Sequence, residues 1–188
     1  MKDTGSRTQF VSFVFSIICI LSSVSCLFLP GCGYSTRSNL PSSLRMIYVE
    51  PFENKIAYTT EIQRNIYLPL LEVKVKNAIV DRFQFDGSLK ISSQDKADLI
   101  LKGALTYYER DALRDNENED VLEYRVKVFV SLEMWDTANQ KVWWEEPSFV
   151  GEATYFTSGT LAKSEDSAIT AAVEDLARRV VERTLEDW

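Results

Sequence analysis

Leu122-Glu123-Tyr124-Arg125-Val126-Lys127-Val128-Phe129-Val130-Ser131-Leu132-Glu133-Met134-Trp135 decides the fold of this chain. Leu122, Tyr124, Val126, Val128, Val130, Leu132 and Met134 share one parity, and Glu123, Arg125, Lys127, Ser131 and Glu133 the other. Successive side chains of a strand point to opposite faces. Such alternation predicts a long antiparallel strand with one dry face and one wet face. Phe129 and Trp135 interrupt the polar series, and Trp143 on the next strand adds a third aromatic, so the wet face is a candidate interaction surface.

Strands flank this one. Asp98 to Arg110 alternates, with Leu99, Leu101, Leu105 and Tyr107 expected on one face. Lys141 to Phe156 reads as a third strand, interrupted near Pro147, because proline has no N–H for the ladder. Asp136 to Gln140 is a hairpin-like connection, whereas Asp111 to Asp120 is acidic and reads as a loop. The three strands form a meander. Met46 to Phe52 is a shorter strand ended by Pro51, residues 53–60 read as a loop, and Leu89-Lys90-Ile91 is a short strand.

Two helices complete the pattern. Leu71, Val75, Ala78, Ile79 and Phe83 recur at helical spacing between Pro69 and Phe85. Pro69 fits the first turn and Gly87 the left-handed position after the end; residues 61–68 extend this helix or form a separate turn. From Ser164, a suitable N-cap, Ile169, Ala172, Val173, Leu176, Val180 and Val181 form an apolar stripe. Glu174 with Arg178 and Asp175 with Arg179 are spaced to pair. The expected fold is an α+β, two-layer α/β sandwich: two helices packed on one face of a mixed sheet of four to five strands.

The N-terminal end is of another kind. Lys2 and Arg7 precede an apolar run from Phe10 to Leu29, and Leu29-Pro30-Gly31-Cys32 follows the pattern of a lipoprotein signal. Residues 1–31 are then a signal peptide, residues 32–45 a lipidated tether rich in Ser, Asn, Pro and Thr, and residues 46–188 one domain. Cys26 is a second possible processing site, and an uncleaved membrane helix is the alternative, since the run approaches the ~20 residues needed to span a bilayer. Cys32 is the expected lipidation site, and more than one acyl chain gives a stable anchor.

Composition narrows the function. The chain carries a formal charge of −7 and residues 32–188 carry −8, which disfavours nucleic acid as a partner. There is no histidine, so the commonest general base and the commonest neutral metal ligand are missing. Zinc would need carboxylates alone, and no cofactor motif appears. Carboxylate pairs such as Asp98 with Glu109, or Glu145 with Glu146, are no more than chance supplies in a chain with 26% charged residues.

The order Leu29-Pro30-Gly31-Cys32-Gly33-Tyr34, Ala97-Asp98-Leu99-Ile100-Leu101-Lys102-Gly103, Glu123-Tyr124-Arg125-Val126, Lys141-Val142-Trp143-Trp144-Glu145 and an Ala/Arg/Glu-rich final helix resembles the LptE family of lipopolysaccharide-assembly outer-membrane lipoproteins. The resemblance implies a non-enzymatic protein that fills the lumen of the LptD β-barrel, assists assembly of that barrel, and contacts lipopolysaccharide. Lys163 matches a basic loop position of the family. Arg110 and Arg114 flank the acidic stretch where another basic contact is expected, and with Lys163 they form the implied lipopolysaccharide-binding set. A second reading is another envelope lipoprotein, such as a ring-forming secretion-pore or transport accessory lipoprotein. Pro51-Phe52-Glu53-Asn54-Lys55 and Ala97-Asp98-Leu99 fit that reading as well.

Overall fold

The expected central strand is β5, Val121–Asp136. Val126, Val128, Val130, Leu132 and Met134 are buried on its inner side. The computed structural model describes residues 40–41, 43–56, 68–118 and 120–186. The leader, Cys32 and most of the tether lie outside the described residues, as does the 61–67 part of the proposed helix extension.

In chain order the elements are β1 (Met46–Val49), β2 (Glu53–Asn54), α1 (Leu71–Asp86), β3 (Lys90–Ile91), a 3-10 turn at Gln94–Lys96, β4 (Leu99–Asp115), β5, β6 (Lys141–Phe156) and α2 (Glu165–Glu186). The sheet order is β3-β1-β4-β5-β6, with β2 also on β4. β1 runs parallel to β3 and β4, whereas β4, β5 and β6 form an antiparallel meander. The sheet is mixed and carries two helices, as expected. It has six strands because β1 and β2 follow one another along β4. Pro51 lies at the break between them, where a residue without an N–H interrupts the ladder.

Both helices cover one face. α1 buries Leu71, Val75, Ile79 and Phe83, one residue per turn. It begins after Leu70, so Pro69 precedes the helix instead of lying in its first turn. Gly87 closes it in the left-handed conformation (φ 77°), its N–H donating to the Phe83 carbonyl at 3.0 Å. α2 starts as Ser164 Oγ accepts the Ser167 N–H at 3.2 Å. It buries Ile169, Ala172, Val173, Leu176, Ala177, Val180 and Val181. Removing a Leu, Ile, Val or Phe side chain of this core from water stabilises the fold by about 1.5–3 kcal/mol. At Gly151 the helix backbone comes so close that an added Cβ would lie 2.3 Å from both the Ala172 carbonyl oxygen and Leu176 Cβ.

Glu53–Asn54, expected within a loop, form β2 along β4, and three further local expectations change. A bulge between Leu105 and Tyr107 shifts the β4 register. Tyr108 therefore turns into the core, while Tyr107 is exposed and meets Phe129 edge-on at 5.6 Å. The acidic stretch from Asp111 continues as strand to Asp115, because Lys127 holds Glu109 at 3.0 Å and Asp111 at 2.6 Å across the ladder. On α2, Arg178 pairs with Asp175 (2.6 Å) and Glu182 (2.8 Å) instead of Glu174.

Candidate functional site

The antiparallel meander carries its strand ends, and the loop before α2, to one end of the sheet. Arg110 and Arg114 lie near the end of β4, and Lys163 lies in the connection from β6 to α2. All three implied basic residues therefore gather at that end, but on different surfaces.

Arg110 pairs in register with Val126, on the helix side of the sheet. Its Nη1 donates to Glu165 Oε2 at 2.5 Å, with the two side chains 35% and 29% exposed. The Tyr108 hydroxyl donates to the other oxygen, Oε1, at 2.9 Å. The guanidinium carbon lies 4.9 Å from the centre of the Tyr124 ring, which stacks on Tyr155 at 5.6 Å. Burial disfavours the Arg110 charge, but the hydrogen bond and attraction from Glu165 outweigh it and raise the pKa. Burial pushes the Tyr108 phenol well above its ordinary value, and the Glu165 carboxylate pushes it further.

Arg114 lies on the opposite, open face. It pairs with Glu123 at 3.6 Å and lies 6.0 Å from the Phe156 ring centre. Lys163 is exposed beside Phe156, whose carbonyl accepts the Lys163 N–H at 3.0 Å. A cleft of about 310 Å³ runs between the end of β6 and this loop, with Phe156, Leu161 and Lys163 among its walls. Among the described residues the Lys163 ammonium makes no ion pair. An exposed cation beside exposed Leu161 suits an anionic amphiphile.

Glu165 is the residue that sequence reasoning missed. It reads locally as an acidic residue favoured at a helix N-terminus. Its partners are 55 and 57 positions away, so no spacing could reveal them.

Several charges of the open face pair across strands, although Glu145 lies opposite Glu133 in register. Lys102 meets Glu133 at 3.1 Å and lies 5.1 Å from the Trp135 ring centre, and Arg125 meets Glu152 at 3.9 Å. Phe129 and Trp135 thus have neighbours on the face itself. A second cleft of about 430 Å³ opens there, with Glu50, Lys102, Glu133 and Glu145 in its lining. Three of the four carboxylates considered for acid–base chemistry, all but the exposed Glu145, are otherwise engaged. Asp98 accepts the Arg45 and Met46 N–H groups, Glu109 holds Lys127, and Glu146 meets Arg183 at 3.5 Å. Among the described residues no cluster of carboxylates and cysteines could hold a metal ion, and no helix is long and apolar enough to cross a membrane.

The fold and site define a small α+β domain whose distinguishing surface is the loop end of a mixed sheet. That architecture is shared by protein XCC0632 from Xanthomonas campestris, at 13% identity, 79% of this chain, 88% of that chain and a TM-score of 0.53. Protein CT253 from Chlamydia trachomatis matches at 15% identity, 76% and 96% coverage and 0.48. A minor lipoprotein from Acinetobacter baumannii matches at 13%, 74% and 91%, and 0.47. No curated protein matches the chain in sequence. The family model for LptE, described as lipopolysaccharide-assembly, matches residues 44–184, and the chain belongs to that family. At family level it is a lipopolysaccharide-assembly lipoprotein of the cell envelope.

Proposed function

We propose that this protein is anchored in the outer membrane by acyl chains on Cys32 and acts, without catalysis, as plug and assembly partner of an LptD-like β-barrel. Family membership over residues 44–184 carries the reading. The domain faces the periplasm or occupies the barrel lumen. A large outer-membrane barrel has a polar interior. The open sheet face suits such a wall, since it is polar and carries cross-strand ion pairs. Lipopolysaccharide is the anionic ligand, with Lys163 its main contact and Arg114 a second cation at the same end. Arg110, implied with them by the resemblance, lies at the same end with its guanidinium on Glu165.

The test is affinity capture from outer membranes with the tagged, lipidated chain. A large β-barrel protein should co-purify, and the Cys32→Ala chain should leave the outer membrane. Depletion should reduce surface lipopolysaccharide and leave the barrel immature. Normal export and a mature barrel after depletion would remove the proposal.

A further inference from the structure

We propose that Tyr108, Arg110 and Glu165 form a latch that positions Lys163, and that Arg110 is a positioning residue instead of a ligand contact; the proposal rests on the reading of Lys163 as an anion contact.

Lys163 lies between two anchors. On one side its own N–H donates to the Phe156 carbonyl at 3.0 Å, and Ala162 bridges to Phe156 as a short parallel pairing. On the other side, two residues on, the Glu165 carboxylate is divided between the Tyr108 hydroxyl (2.9 Å) and Arg110 Nη1 (2.5 Å). Both of those donors project from β4, where Tyr108 and Arg110 pair in register with Val128 and Val126 of β5. The Arg110 guanidinium rests against Tyr124, and Tyr124 stacks on Tyr155, so aromatic neighbours on β5 and β6 support the donor as well. Ser164, between Lys163 and Glu165, caps α2. The loop can displace the Lys163 backbone only by giving up one of these bonds.

The same geometry argues against a direct role for Arg110. To meet a phosphate, its guanidinium would have to bring that anion beside the Glu165 carboxylate, which already holds Nη1 and would repel it. If Arg110 were a contact, Glu165 would compete with the ligand, and neutralising Glu165 would strengthen binding. If Arg110 is part of a latch, the same change weakens binding. The two roles predict opposite signs.

The experiment titrates lipopolysaccharide into the chain purified in detergent. Lys163→Ala should weaken binding about tenfold, the loss of one charge-assisted contact. Arg110→Ala and Glu165→Gln should each weaken it roughly threefold by loosening the loop, and should add nothing in the Lys163→Ala background. Hydrogen exchange at the Lys163 amide should quicken in both. Should Arg110→Ala fail to fold, the near-isosteric Glu165→Gln and Tyr108→Phe carry the same arms. Tighter binding by Glu165→Gln, or further loss from Arg110→Ala on top of Lys163→Ala, would overturn the latch. If Lys163→Ala binds like the unsubstituted chain, the anion-contact reading falls. The exchange rate then decides the latch by itself, and an unchanged rate would overturn it.

Discussion

Asp136 and Gly151 are single residues whose surroundings dictate what a substitution does. Asp136 closes the β5–β6 hairpin, its carboxylate accepting the Asn139 N–H at 2.9 Å and Asn139 Nδ2 at 2.7 Å. Burial pushes its pKa up, but the donated N–H groups and the nearby Lys141 charge outweigh burial and leave it below the usual carboxylate range. A carboxyl with a lower pKa in the folded state contributes stability that is full above its unfolded pKa of about 3.9 and fades as pH falls through the folded value. Asp136→Asn should therefore cost about 1–3 kcal/mol at pH 7. The gap to the unsubstituted chain should narrow at about pH 3, below the unfolded pKa, where the stability contributed by the ionised carboxylate is already fading. Urea unfolding at the two pH values measures this, and a gap independent of pH would contradict the assignment. Gly151 is limited by space, since a Cβ there would overlap α2 backbone and Leu176. Gly151→Ala should destabilise by about 1–3 kcal/mol or more, whereas Gly159→Ala meets no neighbouring atom within 4 Å and is strained only by its φ of 84°. Thermal unfolding of the two variants separates overlap from backbone strain.

Elements were legible to the extent that their sequence pattern came from one dominant cause. β5 and α2 each bury one side along their whole length, so period 2 and period 3.6 stood out in the residues. β4 did not, because its bulge between Leu105 and Tyr107 reverses parity in mid-strand, and no residue type there announces an extra position. Its acidic end resembled a loop by composition, although Lys127 holds Asp111, and Arg114 meets Glu123 of β5, across the ladder. The basic residues of the site could be picked out, but their pairing depends on contacts across more than fifty residues. One element-scale feature had no sequence signal at all. β6 is an edge strand of sixteen residues, and long free edges invite pairing with other chains. Here α2 covers part of that edge with side chains. Arg179 donates to the Val150 carbonyl at 2.5 Å, and the Glu152 N–H donates to Asp175 at 3.3 Å. An Asp175→Ala/Arg179→Ala double variant should uncover these groups and self-associate with rising concentration in analytical ultracentrifugation. A single unchanged species would mean that the helix backbone alone protects the edge.

At the scale of the whole molecule, charge and pairing argue for a solitary domain. Residues 32–188 carry −8, so two copies repel at long range. The broad sheet face opposite the helices is not an unsatisfied apolar layer that demands a second copy. Several of its charges are joined across strands, as between Lys127 and Glu109, and aromatic residues pack on neighbours, as Phe129 does on Tyr107. Ring formation would have to bury such charged surface against like-charged surface, with little apolar area gained in return. The domain without its leader should therefore appear as one copy in native mass spectrometry. It should remain one copy when salt shortens the Debye length to about 3 Å, because screening removes repulsion without creating an attractive patch. A stable ring under either condition would favour the secretion-pore type of envelope lipoprotein over a single plug. It would also assign the open sheet face to contacts between copies instead of to the wall of a barrel.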